Sequence, residues 1–333
     1  MSIQFHPASV GCDILSVNPP EPTEFTPIAI TVTVTNSTTD PFSGSVAYAG
    51  TANPTSGASS AQVNLPAGSG LAGIVTGQNA PSTTVTVFGL APAAGQNVAV
   101  QVNLFKDEPG VEFPPPIGNA SFTLNIAANY QFAVESLHCL NPRSLDNDTL
   151  KGSCRVLFGG QPLASCHPQS PFDVPQATQY EEYGDHGAGA VISTSFCFTG
   201  FGGVPGLAPD LTITYDFENS GYAGSAEDEM NKILDVVSDL GAGVATALVG
   251  GGSGWGLVDQ AHHQINAAIF SSCDGPVAGD FITVKSDVLA EVTTANGTYT
   301  ETRTYPGTSS PAVCGEVSHY EVTFTFTRLS MPH

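Results

Sequence analysis

The chain has 333 residues, and only 11% of them are charged: 8 Lys plus Arg stand against 30 Asp plus Glu, for a formal net charge of −22. That balance excludes nucleic-acid binding, which needs a basic surface to displace counterions, and it disfavours direct attraction to anionic lipid. No run reaches the roughly 18 apolar residues of a membrane span, and the start, Met1-Ser2-Ile3-Gln4-Phe5-His6-Pro7, lacks the basic-then-apolar pattern of a signal peptide.

The length suits two domains, and 41% hydrophobic residues are enough to build their cores. Thr, Ser, Gly and Pro fill the place of charges, a mixture that reads as short strands joined by turns. Ile28, Ile30, Val32 and Val34 alternate with Thr31, Thr33 and Thr35, the period of a half-buried strand. Val98, Val100, Val102 and Leu104 repeat the pattern, as do Phe122, Leu124 and Ile126. Shorter candidates lie at 45–49, 62–65, 73–76 and 83–88. About seven such strands, separated by Gly, Pro and Asn, give the rhythm of an immunoglobulin-like sandwich. Gly68, Gly70 and Gly73 match GxGxxG, but Ile74-Val75-Thr76 reads as a strand where dinucleotide binding needs a helix, so the match is a loop.

The stretch from Asn18-Pro19-Pro20-Glu21-Pro22 through Val32-Thr33-Val34-Thr35-Asn36 resembles the opening of bacterial immunoglobulin-like adhesive modules. The resemblance covers residues 10–127 and implies a spacer or docking module.

A boundary at Ala127-Ala128-Asn129 divides a first domain, 1–127, from a second, 128–333. The second opens with a strand around Tyr130 to Cys139. It closes with another, in which Tyr320, Val322, Phe324 and Phe326 alternate with Glu321, Thr323, Thr325 and Thr327. Asn296-Gly297 reads as a hairpin turn between two strand-like runs. Two helices are expected inside this domain. One spans about 226–240, opened by the capping-box-like Ser225-Ala226-Glu227-Asp228, striped by Met230, Ile233, Leu234 and Val237, and stopped at Gly241. The other spans about 257–270, after a glycine-rich link that carries the single tryptophan, Trp255, as a binding anchor or as packing under the helices. The expected fold class is all-β: two β-sandwich domains, the second with a two-helix insertion.

No HExxH, P-loop or GxSxG occurs. Scattered Ser, His and Asp could still converge as a triad, so a hydrolase stays open. His262 and His263 are adjacent on the second helix and diverge by about 100°, which argues against one shared metal ion. Cys12 stands alone, while Cys139, Cys154, Cys166, Cys197, Cys273 and Cys314 form an even set. Such a set suits disulfides in an oxidising compartment, or buried free thiols acting as small hydrophobes. No CxxC spacing exists, which argues against a zinc site.

Two acidic stretches read as loops: Leu145-Asp146-Asn147-Asp148, and a second that begins at Tyr215-Asp216-Phe217-Glu218 and ends at Glu227-Asp228-Glu229. Strand, acidic loop, strand and a later Asp-x-acid step resemble the C-two family of calcium-dependent lipid-binding sandwiches, over roughly 130–330. The resemblance implies that the loops meet at one end of the sandwich. Asp146, Asp148, Asp216, Glu218 and Asp228 would there share calcium, which takes six to eight oxygen ligands. Where the family has an Asp-Pro-Tyr step, this chain has Gly152-Ser153-Cys154-Arg155, so one expected ligand is missing. Acids in a helix's first turn also favour its positive end without any metal, which covers Glu227, Asp228 and Glu229 equally well.

The expectation is a non-enzymatic binding or surface-assembly protein, extracellular or at the cell surface. Its partner would be a protein, a glycan or a second copy of itself, and it would touch a membrane surface only through calcium. The alternatives are a secreted hydrolase or toxin component with unidentified catalytic residues, and a subunit of a larger filament or particle.

Overall fold

The structure, a computed structural model, describes residues 9–49, 60–68, 81–111, 114–166, 178–219, 246–247, 275–294, 297–306 and 317–329. Both expected helices, Asp228, Trp255, the histidine pair, Cys273 and Cys314 lie outside the described residues, as does the strand expected at 73–76. The chain divides into two compact units, Met1–Ala128 and Asn129–Leu329.

The described part of the first unit is built from β1 (Val10–Asn18), β2 (Pro27–Asn36), β3 (Phe42–Tyr48), β4 (Ser60–Leu65), β5 (Ser82–Leu90), β6 (Gly95–Lys106) and β7 (Pro116–Ile126). They form a three-stranded sheet of order β1-β2-β5 and a four-stranded sheet of order β4-β3-β6-β7. The period-two pattern of β2 sends Ile28, Ile30, Val32 and Val34 inward. They meet Val46, Val87, Val100, Val102 and Leu104 in one aliphatic core. Each such side chain stabilises by about 1.5–3 kcal/mol when buried. Gly89 is required where it stands, because a Cβ there would lie 2.1 Å from the ring of Tyr48.

The second unit contains β8 (Ala128–Asn141), β9 (Asn147–Phe158), β10 (Gln161–Pro162), β11 (Ala164–Ser165), β12 (Thr178–Gly187), β13 (Val191–Ser193), β14 (Cys197–Gly203), β15 (Leu211–Asn219), β16 (Thr246–Ala247), β17 (Gly275–Val284), β18 (Thr298–Tyr305) and β19 (His319–Arg328). Two six-stranded sheets result. One has the order β10-β9-β15-β17-β16 with β12 beside β9. The other has the order β11-β14-β8-β19-β18 with β13 beside β8. The core between them is aromatic. Phe132 lies 5.1 Å from Phe326 and 5.9 Å from Phe324, ring centre to ring centre, and Phe196 stands 5.9 Å from Phe217.

Two expectations are corrected here. The turn expected at Asn296-Gly297, of which Asn296 lies outside the described residues, does not follow a strand. The segment before it is a helix, α1 (Ser286–Val292). The helix is closed at Thr293, whose amide donates to Leu289 O at 3.2 Å, and Gly297, at φ +69°, donates to Thr293 O at 3.0 Å in the turn that follows. The even cysteine set does not pair throughout. Cys166 and Cys197 form a disulfide, whereas Cys139 and Cys154 are buried free thiols, as is Cys12.

No described helix is long and apolar enough to cross a membrane.

Candidate functional site

Asp216 and Glu218 are not loop residues. Their segment is the middle of β15, where Tyr215 and Phe217 face the core and the two acids alternate onto the outer face. The registers place Ser153 opposite Asp216 and Lys151 opposite Glu218 on β9. All four side chains are buried, Asp216 at 0% exposure and Lys151 at 5%. The register thus sets two acids, a serine and a lysine side by side on neighbouring strands of one sheet.

Asp148 has a different task. Its carboxylate accepts the Arg143 amide at 2.6 Å and the Ser144 amide at 2.7 Å, tying down the turn between β8 and β9. The Tyr320 hydroxyl donates to the same group at 2.6 Å from the opposite sheet. Both oxygens of this carboxylate accept hydrogen bonds from the fold, and Asp148 is wholly buried. Asp146, two residues earlier, is exposed. Of the five residues implied as calcium ligands, the structure therefore sets Asp216 and Glu218 on a sheet face, Asp148 inside and Asp146 on the surface. Among the described residues no group of three or more His, Cys, Asp or Glu is placed to hold a metal ion.

The most connected polar cluster went unread in the sequence. Asp280 on β17 faces Tyr215 on β15 in register. Arg303 Nη1 donates to Asp280 Oδ2 at 2.7 Å, and the Tyr305 hydroxyl donates to the same oxygen at 3.0 Å. The hydroxyls of Tyr215 and Tyr305 bond to each other. Arg303 Nε also donates to Glu301 Oε1 at 2.7 Å, and Tyr299 donates to Glu301 Oε2 at 2.7 Å. Because β17 and β18 belong to different sheets, the network pins the two layers together. The guanidinium also lies 5.6 Å from the centre of the Phe324 ring, within cation–π range. The signal was available, since Tyr299, Glu301, Arg303 and Tyr305 alternate with four threonines along β18.

These surroundings shift the titrating groups. Burial, then the Asp280 charge, pushes the Tyr215 phenol well up. Burial, then Tyr215 and Asp280, does the same to Tyr305. Burial, then Asp148, raises Tyr320. Tyr299, nearer the surface, is pushed up to about 12 by burial and by Glu301. Burial opposes the Arg303 charge, but Asp280 and Glu301 outweigh it and its pKa rises. Burial raises the thiols of Cys12, Cys139 and Cys154, with Asp13, Asp148 and Glu181 respectively adding to it. All three stay protonated near neutrality, which makes them poor nucleophiles. The polar chemistry of this interior ties strands together.

The exposed sheet faces of the first unit carry different chemistry. On β1-β2-β5 the outward rows are Ser16–Thr31–Thr86, Asp13–Thr33–Thr84 and Asn18–Ala29–Phe88. Leu15, the residue of a β-bulge between Ile14 and Ser16, is 59% exposed, and Phe88 is 53% exposed. The outer face of the other sheet shows amides instead, with Gln101 donating to Asn103 at 3.1 Å.

No family model matches the chain, and no curated protein matches it. Among solved structures, red sea bream transglutaminase is similar at 12% identity and a TM-score of 0.19, over 65% of this chain and 28% of that one. A likeness of that size carries no argument about fold or chemistry.

Proposed function

We propose that this is a non-enzymatic binding or surface-assembly protein, acting outside the cell or at its surface. The observation that carries the reading is the division of polar chemistry. In the second unit the buried Asp148 and Asp280 and the phenols of Tyr215, Tyr305 and Tyr320 are engaged in ties within the fold, while the first unit turns outward sheet faces of hydroxyls, amides and exposed apolar side chains. Depletion of charge with exposed aromatic and aliphatic groups is the composition of a contact surface. The strand order supports an immunoglobulin-like reading of the first unit: strands one, two and five share one sheet and strands three, six and seven the other. The fourth departs by pairing with the third. The Cys166–Cys197 disulfide supports an oxidising compartment.

Two measurements on the full chain test the reading. Ester, glycoside and peptide substrates should show no turnover, and the immobilised protein should retain a protein or glycan partner through its first unit. A turnover abolished by one substitution would replace this reading with the hydrolase alternative.

A further inference from the structure

The turn that joins β2 to β3 carries the chain's single Asp-Pro step, Asp40-Pro41. The acyl oxygen of that peptide bond, Asp40 O, accepts a hydrogen bond from Asn36 Nδ2 at 2.9 Å and lies 2.9 Å from the Thr38 hydroxyl. Asn36 is wholly buried, and its carboxamide is fixed at both ends. Nδ2 also donates to Pro66 O at 2.9 Å, and Oδ1 accepts the Thr38 amide at 3.0 Å. The turn is pinned from two further sides. Ser37 donates its amide to Ser9 O at 3.0 Å, and Gly68 donates to Thr38 O at 2.7 Å. Two donor groups on a fixed frame thus converge on one carbonyl oxygen, the arrangement that stabilises an oxyanion.

The Asp40 side chain itself is exposed and turns freely about its Cα–Cβ bond. When its carboxylate reaches the carbonyl carbon of its own residue it closes a five-membered ring, so the nucleophile is tethered to its target. The leaving group is a proline nitrogen, which has no N–H and is held by no hydrogen bond of its own.

We infer that the chain cleaves itself between Asp40 and Pro41, with the Asp40 carboxylate as nucleophile and Asn36 and Thr38 as donors to the oxyanion. A carboxylate oxygen bonds to the Asp40 carbonyl carbon, and negative charge gathers on Asp40 O. The Thr38 hydroxyl has one proton within reach of both Asn36 Oδ1, at 2.7 Å, and Asp40 O, and it turns to the oxygen that becomes charged. The carbon–nitrogen bond then breaks, and the Pro41 nitrogen leaves with a proton taken from solvent. The cyclic anhydride that remains is opened by one water, which leaves Asp40 with a free α-carboxylate. The cut occurs once per chain and acts on no outside substrate, so it stands apart from the binding reading. Residues 1–40 stay in place after it, because β2 pairs with β5 from Pro27 to Thr35.

Incubating the folded full chain in mildly acidic buffer tests this, with fragments followed by denaturing gel and intact mass. Two pieces, 1–40 and 41–333, should accumulate, the larger beginning Pro41-Phe42-Ser43, while the undenatured protein still elutes as one species. The same chain unfolded in urea, where Asn36 and Thr38 no longer face the bond, should cut about tenfold more slowly or less, since losing one oxyanion donor costs about 10²–10³ in rate. Asp40→Ala should stop the cut with an unchanged melting temperature. Thr38→Val, which keeps the shape and loses the hydroxyl, should slow it about tenfold in a chain that still melts cooperatively. Equal or faster cutting in urea would reduce the site to the ordinary acid lability of an Asp-Pro bond. That result, a folded chain that stays intact, or cutting that survives Asp40→Ala would each overturn the inference.

Discussion

The two units solve the same packing problem with different material. The first closes two sheets over Val, Ile and Leu, where shape and burial do the work and a side chain has no preferred partner. The second closes its sheets over aromatic rings and threads through them a buried carboxylate, a guanidinium and two phenols. Apolar contacts tolerate small slips between layers. A hydrogen-bonded pair at 2.7 Å does not, because a displaced partner leaves a buried charge unsatisfied. The comparison teaches that the second unit owes its layer register to polar ties, and that those ties are also where it is most easily broken.

The largest expected effect follows directly. Arg303→Met leaves Asp280 buried without its guanidinium and should destabilise the second unit by about 3–5 kcal/mol. Differential scanning calorimetry should show the second unit's transition falling and the first unit's unchanged. Combining Arg303→Met with Asp280→Leu should recover much of the loss, since apolar replacement of a whole buried pair is often neutral or stabilising. If the double variant is as weak as the single one, the pair does more than balance its own charges.

Asp148→Ala should come next. It strips an acceptor from the Arg143 and Ser144 amides and from Tyr320 at once. A buried donor left unsatisfied costs about 1–3 kcal/mol. Hydrogen exchange should quicken at Ser144 while the aliphatic strands of the first unit keep their protection. Unchanged exchange at the β8–β9 turn would mean that Asp148 is replaceable by water, and that the tie between sheets runs through Tyr320 alone.

How much of this was legible depended on how far apart the partners lie in sequence. The strands β2, β6 and β19 announced themselves, because one buried face imposes a period of two on Ile28–Val34, Val98–Leu104 and Tyr320–Phe326. The same period runs through Tyr215-Asp216-Phe217-Glu218. There the acids drew the eye to a loop, although Tyr and Phe at alternate positions already marked a strand. Helix α1 was hidden by brevity: seven residues with Leu289 the one buried give no helical stripe, and Val288 and Val292 mimic a strand. Asp280 finds Arg303 and Tyr215 at separations no local pattern encodes. Cysteine connectivity is likewise silent in one sequence, so Cys166–Cys197 could not be told from Cys139 or Cys154.

The subtlest way to sharpen the comparison is alkali. The first unit contains one tyrosine, Tyr48, its phenol raised by burial, whereas burial raises several phenols of the second, among them Tyr215 and Tyr305 at 0% exposure. A phenol whose folded pKa lies above its unfolded value of about 10 holds its proton in the folded state after the unfolded chain has lost it. The stability it confers is full below about pH 10 and declines as pH climbs from there toward the folded value. Each such phenol steepens the decline by about 1.4 kcal/mol per pH unit. The second unit should therefore lose stability above pH 10 more steeply than the first, and its transition should move away from the other as pH rises. Tyrosinate absorbance should show exposed phenols titrating first, Tyr299 near pH 12, and Tyr215 and Tyr305 only together with unfolding. Tyr215→Phe removes one titrating phenol and should make the alkaline decline shallower, even though losing its bond to Tyr305 lowers stability at neutral pH. Should the two transitions move in parallel from pH 9 to 12, the buried phenols are not what distinguishes the two cores.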